Sequence, residues 1–393
     1  MTKDLSTDIV VVGAGAVGLA AAITCATLGK RVLLIDSKIS NTKLKNSRLK
    51  KAWDERVYAL TASTEVWLKD LGVWEAVDAS RVNSINAMRL WNAENDLLEL
   101  RDNDANLPKL GVMIENQNLM QALMKQIDAL GVTVITDATC VALENSQQNA
   151  SLTLDDGRNV SAKLIVAADG VDSWLRDQAN IAVKHKDFSQ TAIVANFLAE
   201  KPHQNIARQW FAPHETLAQL PLPDKHVSMV WALSTEQAAE LLTLSNDDFT
   251  LKVQARSNDE LGNLRLVGKV LSFTLQQKTA TQFIAERVVL VGDAAHQIHP
   301  MAGQGMYLGL RDVRQLQQML TNTHAMQDIG ESTFLRQYAR ARQADVAAMN
   351  GLTSGLDALF SSENSMIKNM SAFGFRQLNR QPTLKKLLIQ QAA

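Results

Sequence analysis

The chain has 393 residues, enough for one large domain or two of ordinary size, each able to bury a sizeable core. Apolar residues make up 46% and charged residues 21%, a balance that excludes an intrinsically disordered chain. Formal net charge is −1, so no global field selects nucleic acid, and the two cysteines, Cys25 and Cys140, are too few for a disulfide framework; reduced thiols in a cytoplasmic protein are the expectation.

Ile9 to Gly29 is nearly unbroken apolar sequence, long enough to imitate a membrane span or a signal core. The residues before it lack a basic cluster, three glycines interrupt it, and charge returns at Lys30 and Arg31. A buried strand followed by a tightly packed helix accounts for the same composition. Within it, Asp8 to Val12 is a β-branched run that enters Gly13-Ala-Gly15-Ala-Val-Gly18, and an Ala-rich helical stretch continues to about Leu28. Gly13 permits the tight turn, Gly15 lets backbone approach a pyrophosphate, and Gly18 lets the helix pack on the strand. Arg31 to Asp36 then reads as a second strand ending in an acid, 18 residues beyond Gly18, the spacing expected of a carboxylate that accepts from ribose hydroxyls. This much indicates a dinucleotide and does not separate FAD from NAD.

Lys38 to Lys51 carries six basic residues and no acid. It reads either as a solvated loop or as a guide for an anionic nicotinamide cofactor. Further along, Lys163 to Asp169-Gly170 is a buried strand ending in an Asp-Gly turn. Arg287 to Gly292-Asp293 repeats that design and runs on through His296, His299, Gly303-Gln304-Gly305 and Tyr307 to Asp312. A carboxylate at the end of a buried strand, beside small residues that open a helix, suits a ribityl hydroxyl next to phosphate-binding amides. These two motifs move the expectation to FAD. The His296-x-x-His299 pair has no third ligand at suitable spacing, so no metal is expected. No nucleophile elbow is present either.

Together these stretches resemble the class A FAD-dependent aromatic hydroxylases, and within them the ubiquinone-biosynthesis hydroxylases. The likeness extends to Arg56-Val-Tyr-Ala-Leu-Thr, Leu68 to Trp74, Glu115-Asn116 with Leu119 and Leu123, Phe211 to Leu222 with Trp231, and Leu378 to Leu388. It implies that Gly13, Gly15 and Gly18 hold the pyrophosphate and that Asp36 holds the adenosine ribose. Arg56 would lie over the FAD, and Asn116 would stand where related flavoproteins often carry an Arg to the cofactor. Asp293 would meet the ribityl chain, and Gly303, Gln304 and Gly305 would border the flavin ring. One departure is Tyr307, where the family commonly has Asn; its ring either packs against the helix or narrows the active site.

The implied fold class is α/β: a Rossmann-like FAD-binding domain with an inserted β-sheet substrate domain and a C-terminal helical region. The expected FAD-binding parts are residues 1–75, 105–180 and 280–325. Residues 76–104 and 181–279 read as strand-rich and would form a sheet roofing the flavin. From Glu331 onward no strand alternation remains, and 326–393 read as helices. Residues 364–393 carry five cations and no acid among apolar positions. This is either a basic amphipathic surface for a membrane or a complex partner, or a set of helices packed on the body.

The implied reaction is hydroxylation of the aromatic ring of a polyprenyl phenol or quinone precursor. NAD(P)H would reduce FAD, O2 would be captured as a flavin C4a-hydroperoxide, and its distal oxygen would go to the ring. No second Gly-rich fingerprint is present, so NAD(P)H is expected to dock transiently. Hydroxylation of another small aromatic, and a non-catalytic flavoprotein scaffold, are the alternatives. A cytoplasmic protein, peripheral at most to the inner face of the membrane, is the expected location.

Overall fold

The computed structural model describes residues 4–37, 52–297, 304–324, 327–360 and 365–392. The basic run Lys38–Lys51 lies outside them, as do His299 and Gly303. The first apolar stretch resolves into β1 (Leu5–Val12) and α1 (Ala16–Thr27), not a single long helix. Among the described residues, no helix is long and apolar enough to cross a membrane. Ile9, Val10 and Val11 are fully buried because β1 has a neighbouring strand on each edge and packed elements over both faces.

Next come β2 (Val32–Asp36), β3 (Val57–Thr61), α2 (Ala62–Asp70) and β4 (Val82–Ile85). They are followed by β5 (Ala87–Trp91), β6 (Leu97–Arg101), β7 (Gly111–Glu115), α3 (Asn116–Ala129) and β8 (Thr133–Thr136). Then β9 (Cys140–Asn145), β10 (Ala150–Leu154) and β11 (Asn159–Ala167) lead into the short α4 (Trp174–Gln178). β1 pairs parallel with β2 on one side and β11 on the other, and β2 pairs parallel with β8. This is the central sheet. β3, β7 and β4 form a separate antiparallel three-stranded sheet.

The second large sheet uses β12 (Val183–Ala199), β13 (Ile206–Ala212), β14 (Glu215–Pro221), β15 (His226–Ser234) and β16 (Leu264–Ala280). Between β15 and β16 the strand-rich stretch holds two helices, α5 (Thr235–Leu242) and α6 (Asn246–Arg256). Both begin at a serine, Ser234 and Ser245, whose hydroxyl accepts from the third backbone N–H of the new helix. β13 pairs parallel with β5, so the hairpin β5–β6 joins this sheet from far earlier in the chain. One face carries Phe197, Trp210, Leu217 and Met229 and packs on Phe249 and Val253 of α6. The opposite face carries Ala207, Leu220 and Met88 and packs on Met113 of β7.

The chain returns to the central sheet through β17 (Ile284–Ala285) and β18 (Val288–Leu290), and β18 lies parallel to β11. The short β19 (His296–Gln297) then pairs with the end of β16. α7 (Gln304–Thr321) follows, and the C-terminal region after it is helical, as expected: α8 (Ser332–Phe360), α9 (Ser365–Arg380) and α10 (Pro382–Ala392).

Candidate functional site

The turn after β1 sets the first half of the site. Gly13 has φ +102°, and a Cβ there would lie 2.3 Å from Ala168 O, the residue following β11. A Cβ on Gly18 would stand 2.0 Å from Gly13 O, so the glycine is what lets α1 press against its own turn. Gly15 differs. Nothing lies within 4 Å of its Cβ position, so it faces open space. It is also the N-cap of α1, makes no side-chain cap, and no acid occupies the first turn. The first amides of α1 therefore point at that space without an intrahelical acceptor, an arrangement suited to a phosphate. Asp36, at the end of β2, accepts from Ala14 N through Oδ2 at 2.7 Å, which fixes the carboxylate beside the same turn.

The second half gathers residues separated by more than 200 positions. Arg56 is exposed at the start of β3, and its guanidinium carbon lies 5.6 Å from the centroid of Tyr58. Tyr58 Oη donates to Asn116 Oδ1 at 3.1 Å, and Asn116 N donates to Arg56 O at 2.9 Å. Burial pushes the Tyr58 phenol up to about 12, opposed by Arg56 and reinforced by Asp293 and Asp54. Asp293 is reachable from solvent yet crowded by protein atoms, as a carboxyl on the floor of a cleft must be. Desolvation raises its pKa, against the lowering influence of His296 and Arg56. Arg56, Asn116 and Asp293 thus form one cluster. Gln304 and Gly305 open α7, and Gly303 lies outside the described residues.

Asp169 behaves differently from Asp293, although the sequence presents them as a repeat. Its Oδ1 accepts from Ser173 Oγ at 2.5 Å and its Oδ2 from Leu175 N at 3.0 Å, so it staples the turn into α4. Burial raises its pKa and those bonds oppose the rise. Tyr307 is half-buried on α7 beneath Arg311, whose guanidinium carbon is 5.4 Å from the ring centroid. The ring packs along its own helix.

Several residues escape a reading of the sequence alone. Arg176 on α4 is buried and donates through Nη1 to Val171 O at 3.0 Å and Ala294 O at 3.2 Å, tying the Asp-Gly turn to the Gly-Asp turn. Asp312 on α7 is wholly buried, accepts from Gly292 N at 2.8 Å and from Arg342 Nε at 2.6 Å, and lies 2.8 Å from His296 Nε2. Gly309 brings α7 close: a Cβ there would meet Val17 at 2.7 Å and Gly292 Cα at 3.0 Å. The loop carrying Arg56 is anchored as well. Asp54 N donates to Glu115 Oε1 at 2.6 Å, Glu115 is held by Arg81, and Asn196 Nδ2 on β12 donates to Asp54 O at 3.0 Å.

Asn196 also identifies the face of the large sheet that looks toward the site. Val194 lies two residues away on that face, opposite Val230 on β15 and Leu271 on β16, and Ala192 lies opposite Ala232 and Phe273. Leu271 and Phe273 remain 45% and 46% exposed, so large apolar side chains line this wall without being covered. The chain can therefore hold an extended anionic cofactor along α1 and Asp293 and present an apolar ligand to it from above. An open space at Gly15, an uncapped helix start and an accessible acid beside Arg56 all fit FAD.

The FAD binding domain family matches residues 6–351. Ubiquinone hydroxylase UbiL of Rhodospirillum rubrum is 31% identical over 100% of this chain and 90% of its own length. The 3-demethoxyubiquinol 3-hydroxylase of Escherichia coli is 31% identical over 98% of each chain. The crystal structure of p-nitrophenol 4-monooxygenase PnpA from Pseudomonas putida is similar in fold, with TM-score 0.79 at 16% identity, over 99% of this chain and 98% of that one.

Proposed function

Because this chain belongs to the FAD binding domain family, and within it to the ubiquinone-biosynthesis hydroxylases, we propose that it hydroxylates the aromatic ring of a polyprenyl phenol or quinone precursor in ubiquinone biosynthesis. The co-substrates are O2 and NAD(P)H, the latter docking transiently. When bound, FAD supplies the activation of O2 that places oxygen on the ring.

The chain's own residues bind, orient and exclude water. Gly13, Gly15 and Gly18 admit the pyrophosphate to the amides of α1, and Asp36 meets the adenosine ribose. Arg56 offsets phosphate charge. Asn116 holds Tyr58 and the start of β3, and through them the position of Arg56. Asp293 accepts from the ribityl chain, and Gly303, Gln304 and Gly305 border the ring. Residues 1–75, 105–180 and 280–325 serve the cofactor, 76–104 and 181–279 serve the substrate, and the helices within 326–393 support both.

The observation that carries the substrate class is the apolar wall formed by Val194, Val230, Leu271 and Phe273. A ring bearing an isoprenoid tail buries apolar surface there, and the same wall keeps water from the reacting oxygen. The enzyme acts as a peripheral protein or as a member of a biosynthetic complex. The test is purification with bound flavin, followed by NADH and NADPH oxidation and O2 uptake with prenylated and unprenylated phenols. Stimulated oxidation with hydroxylated product, strongest for the prenylated phenol, is expected. Retained flavin with no stimulation by any phenol would overturn the reading in favour of a scaffold, and equal turnover of small unprenylated phenols would move the substrate class.

A further inference from the structure

We infer that α9 and α10 dock this protein on an anionic lipid surface. The inference extends the preceding reading, since a polyprenyl substrate resides in a bilayer, but its test does not use the reaction.

Among the described side chains, each helix is anchored to the sheet region by one side. On α9, Phe375 is buried with Leu98 of β6 and Phe211 of β13, and Asn379 accepts from Glu99 N at 3.2 Å and donates to Leu97 O. On α10, Ile389 is buried and Lys385 lies 3.9 Å from Asp104. The opposite sides carry what a soluble surface rarely keeps. Leu384, Leu387 and Leu388 are 46%, 53% and 39% exposed at helical spacing, so they form one outward stripe on α10. Phe373, 61% exposed, shares the outward side of α9 with Arg380, while Arg376 lies 3.8 Å from Asp96. Lys386 is exposed, but helical spacing sets it nearer Ile389 than the leucine stripe.

Charge decides the occupant. From Ser365 to Ala393 the sequence has five cations and no acid, although the whole chain is close to neutral. A second copy meeting this face would set cations against cations, which opposes a two-fold contact. An anionic bilayer offers both partners at once: acyl chains for the leucines and headgroup charge for Arg380 on the outward side of α9. Phe375 on the inner side of α9 abuts Phe211, which lies on the cleft-facing side of the large sheet. The docked helices therefore stand between a membrane and the proposed substrate wall.

The experiment is co-sedimentation of the flavin-loaded protein with vesicles of phosphatidylcholine alone and of phosphatidylcholine mixed with phosphatidylglycerol. Binding to the anionic vesicles only is expected, weakening as salt is raised. Leu384→Asn with Leu387→Asn, and separately Arg380→Glu, should each lower the partition by about tenfold or more while flavin content and melting temperature hold. The inference is overturned by wild-type protein that stays in solution with anionic vesicles, by equal binding to both vesicle types, or by variants that bind as wild type. Concentration-dependent self-association abolished by the leucine pair, without vesicle binding, would overturn it too and make the face a protein interface. Vesicle binding by an enzyme that hydroxylates no phenol would leave the docking face standing and remove the proposed reaction.

Discussion

Arg342, on α8, donates through Nε to Asp312 Oδ1 at 2.6 Å, and both side chains are almost completely buried. Asp312 in turn accepts from Gly292 N, so a residue of the C-terminal helices holds the turn that presents Asp293. Tyr338 on the same helix adds a second tie, donating to Leu290 O at 2.9 Å. The C-terminal helices thus brace the Gly292–Asp293 turn and are not an appendage. Removing one partner of a buried pair leaves the other charge unpaired, so Arg342→Met should cost about 3–5 kcal/mol of stability. FAD affinity should fall with it. Asp312→Asn combined with Arg342→Met should cost less than the sum of the two, because the orphaned charge is gone. Denaturant unfolding of the apoprotein and flavin fluorescence titration measure both; strict additivity would refute the coupling.

Gly15 and Gly18 should respond in opposite ways to the same substitution. Gly18→Ala drives a Cβ into Gly13 O and should destabilise the apoprotein by about 1–3 kcal/mol. Gly15 has φ −67° and open space around it, so Gly15→Ala should leave apoprotein stability unchanged or raise it by about 0.4–1 kcal/mol. Its FAD affinity should nevertheless drop, because the added methyl group enters the space assigned to the pyrophosphate. Melting curves without flavin and titrations with it separate the two effects.

Arg56 is exposed and carries little of the fold. Arg56→Ala should shift apoprotein stability by no more than about 0.5 kcal/mol. Loss of a charge-assisted contact to phosphate should raise the FAD dissociation constant about tenfold to a hundredfold. Unchanged affinity would remove Arg56 from the cofactor site.

Asp293 gives a pH signature. Its folded pKa is raised above the unfolded value of 3.8, so the folded apoprotein holds this proton to higher pH than the unfolded chain does. Stability from this group is therefore greatest at low pH and declines as pH rises from 3.8 through the raised folded value. Asp293→Asn removes that decline. Apoprotein carrying it should melt higher than wild type at neutral pH, with the advantage shrinking on acidification toward 3.8, while flavin binding weakens. A variant that melts lower than wild type at neutral pH would contradict the raised pKa.

Much of this was legible along the chain. The Gly13–Gly18 turn and Asp36 form a local pattern whose backbone demands, a positive φ at Gly13 and a close approach at Gly18, leave a mark at fixed positions. The two later strand-and-acid motifs are equally visible, but their sameness misleads: Asp169 is consumed by Ser173 and Leu175, whereas Asp293 looks into the cleft. That difference depends on the groups packed around each turn in the folded chain. Arg176 and Arg342 left no pattern because a single Arg in a helix is ordinary until its partners, Ala294 and Asp312, are known. The same holds for Asn196, whose bond to Asp54 spans 142 positions.

The sequence by itself determined the cofactor class, the alternation of sheet and helix, and the helical C-terminus, since all three depend on short-range spacing of glycine, acid and apolar residues. Only the tertiary structure decided which acid reaches the cleft, how Arg56, Asn116 and Asp293 meet, and that α8 braces the Gly-Asp turn. Those are contacts between residues tens to hundreds of positions apart, and only chain packing brings their partners within hydrogen-bond range.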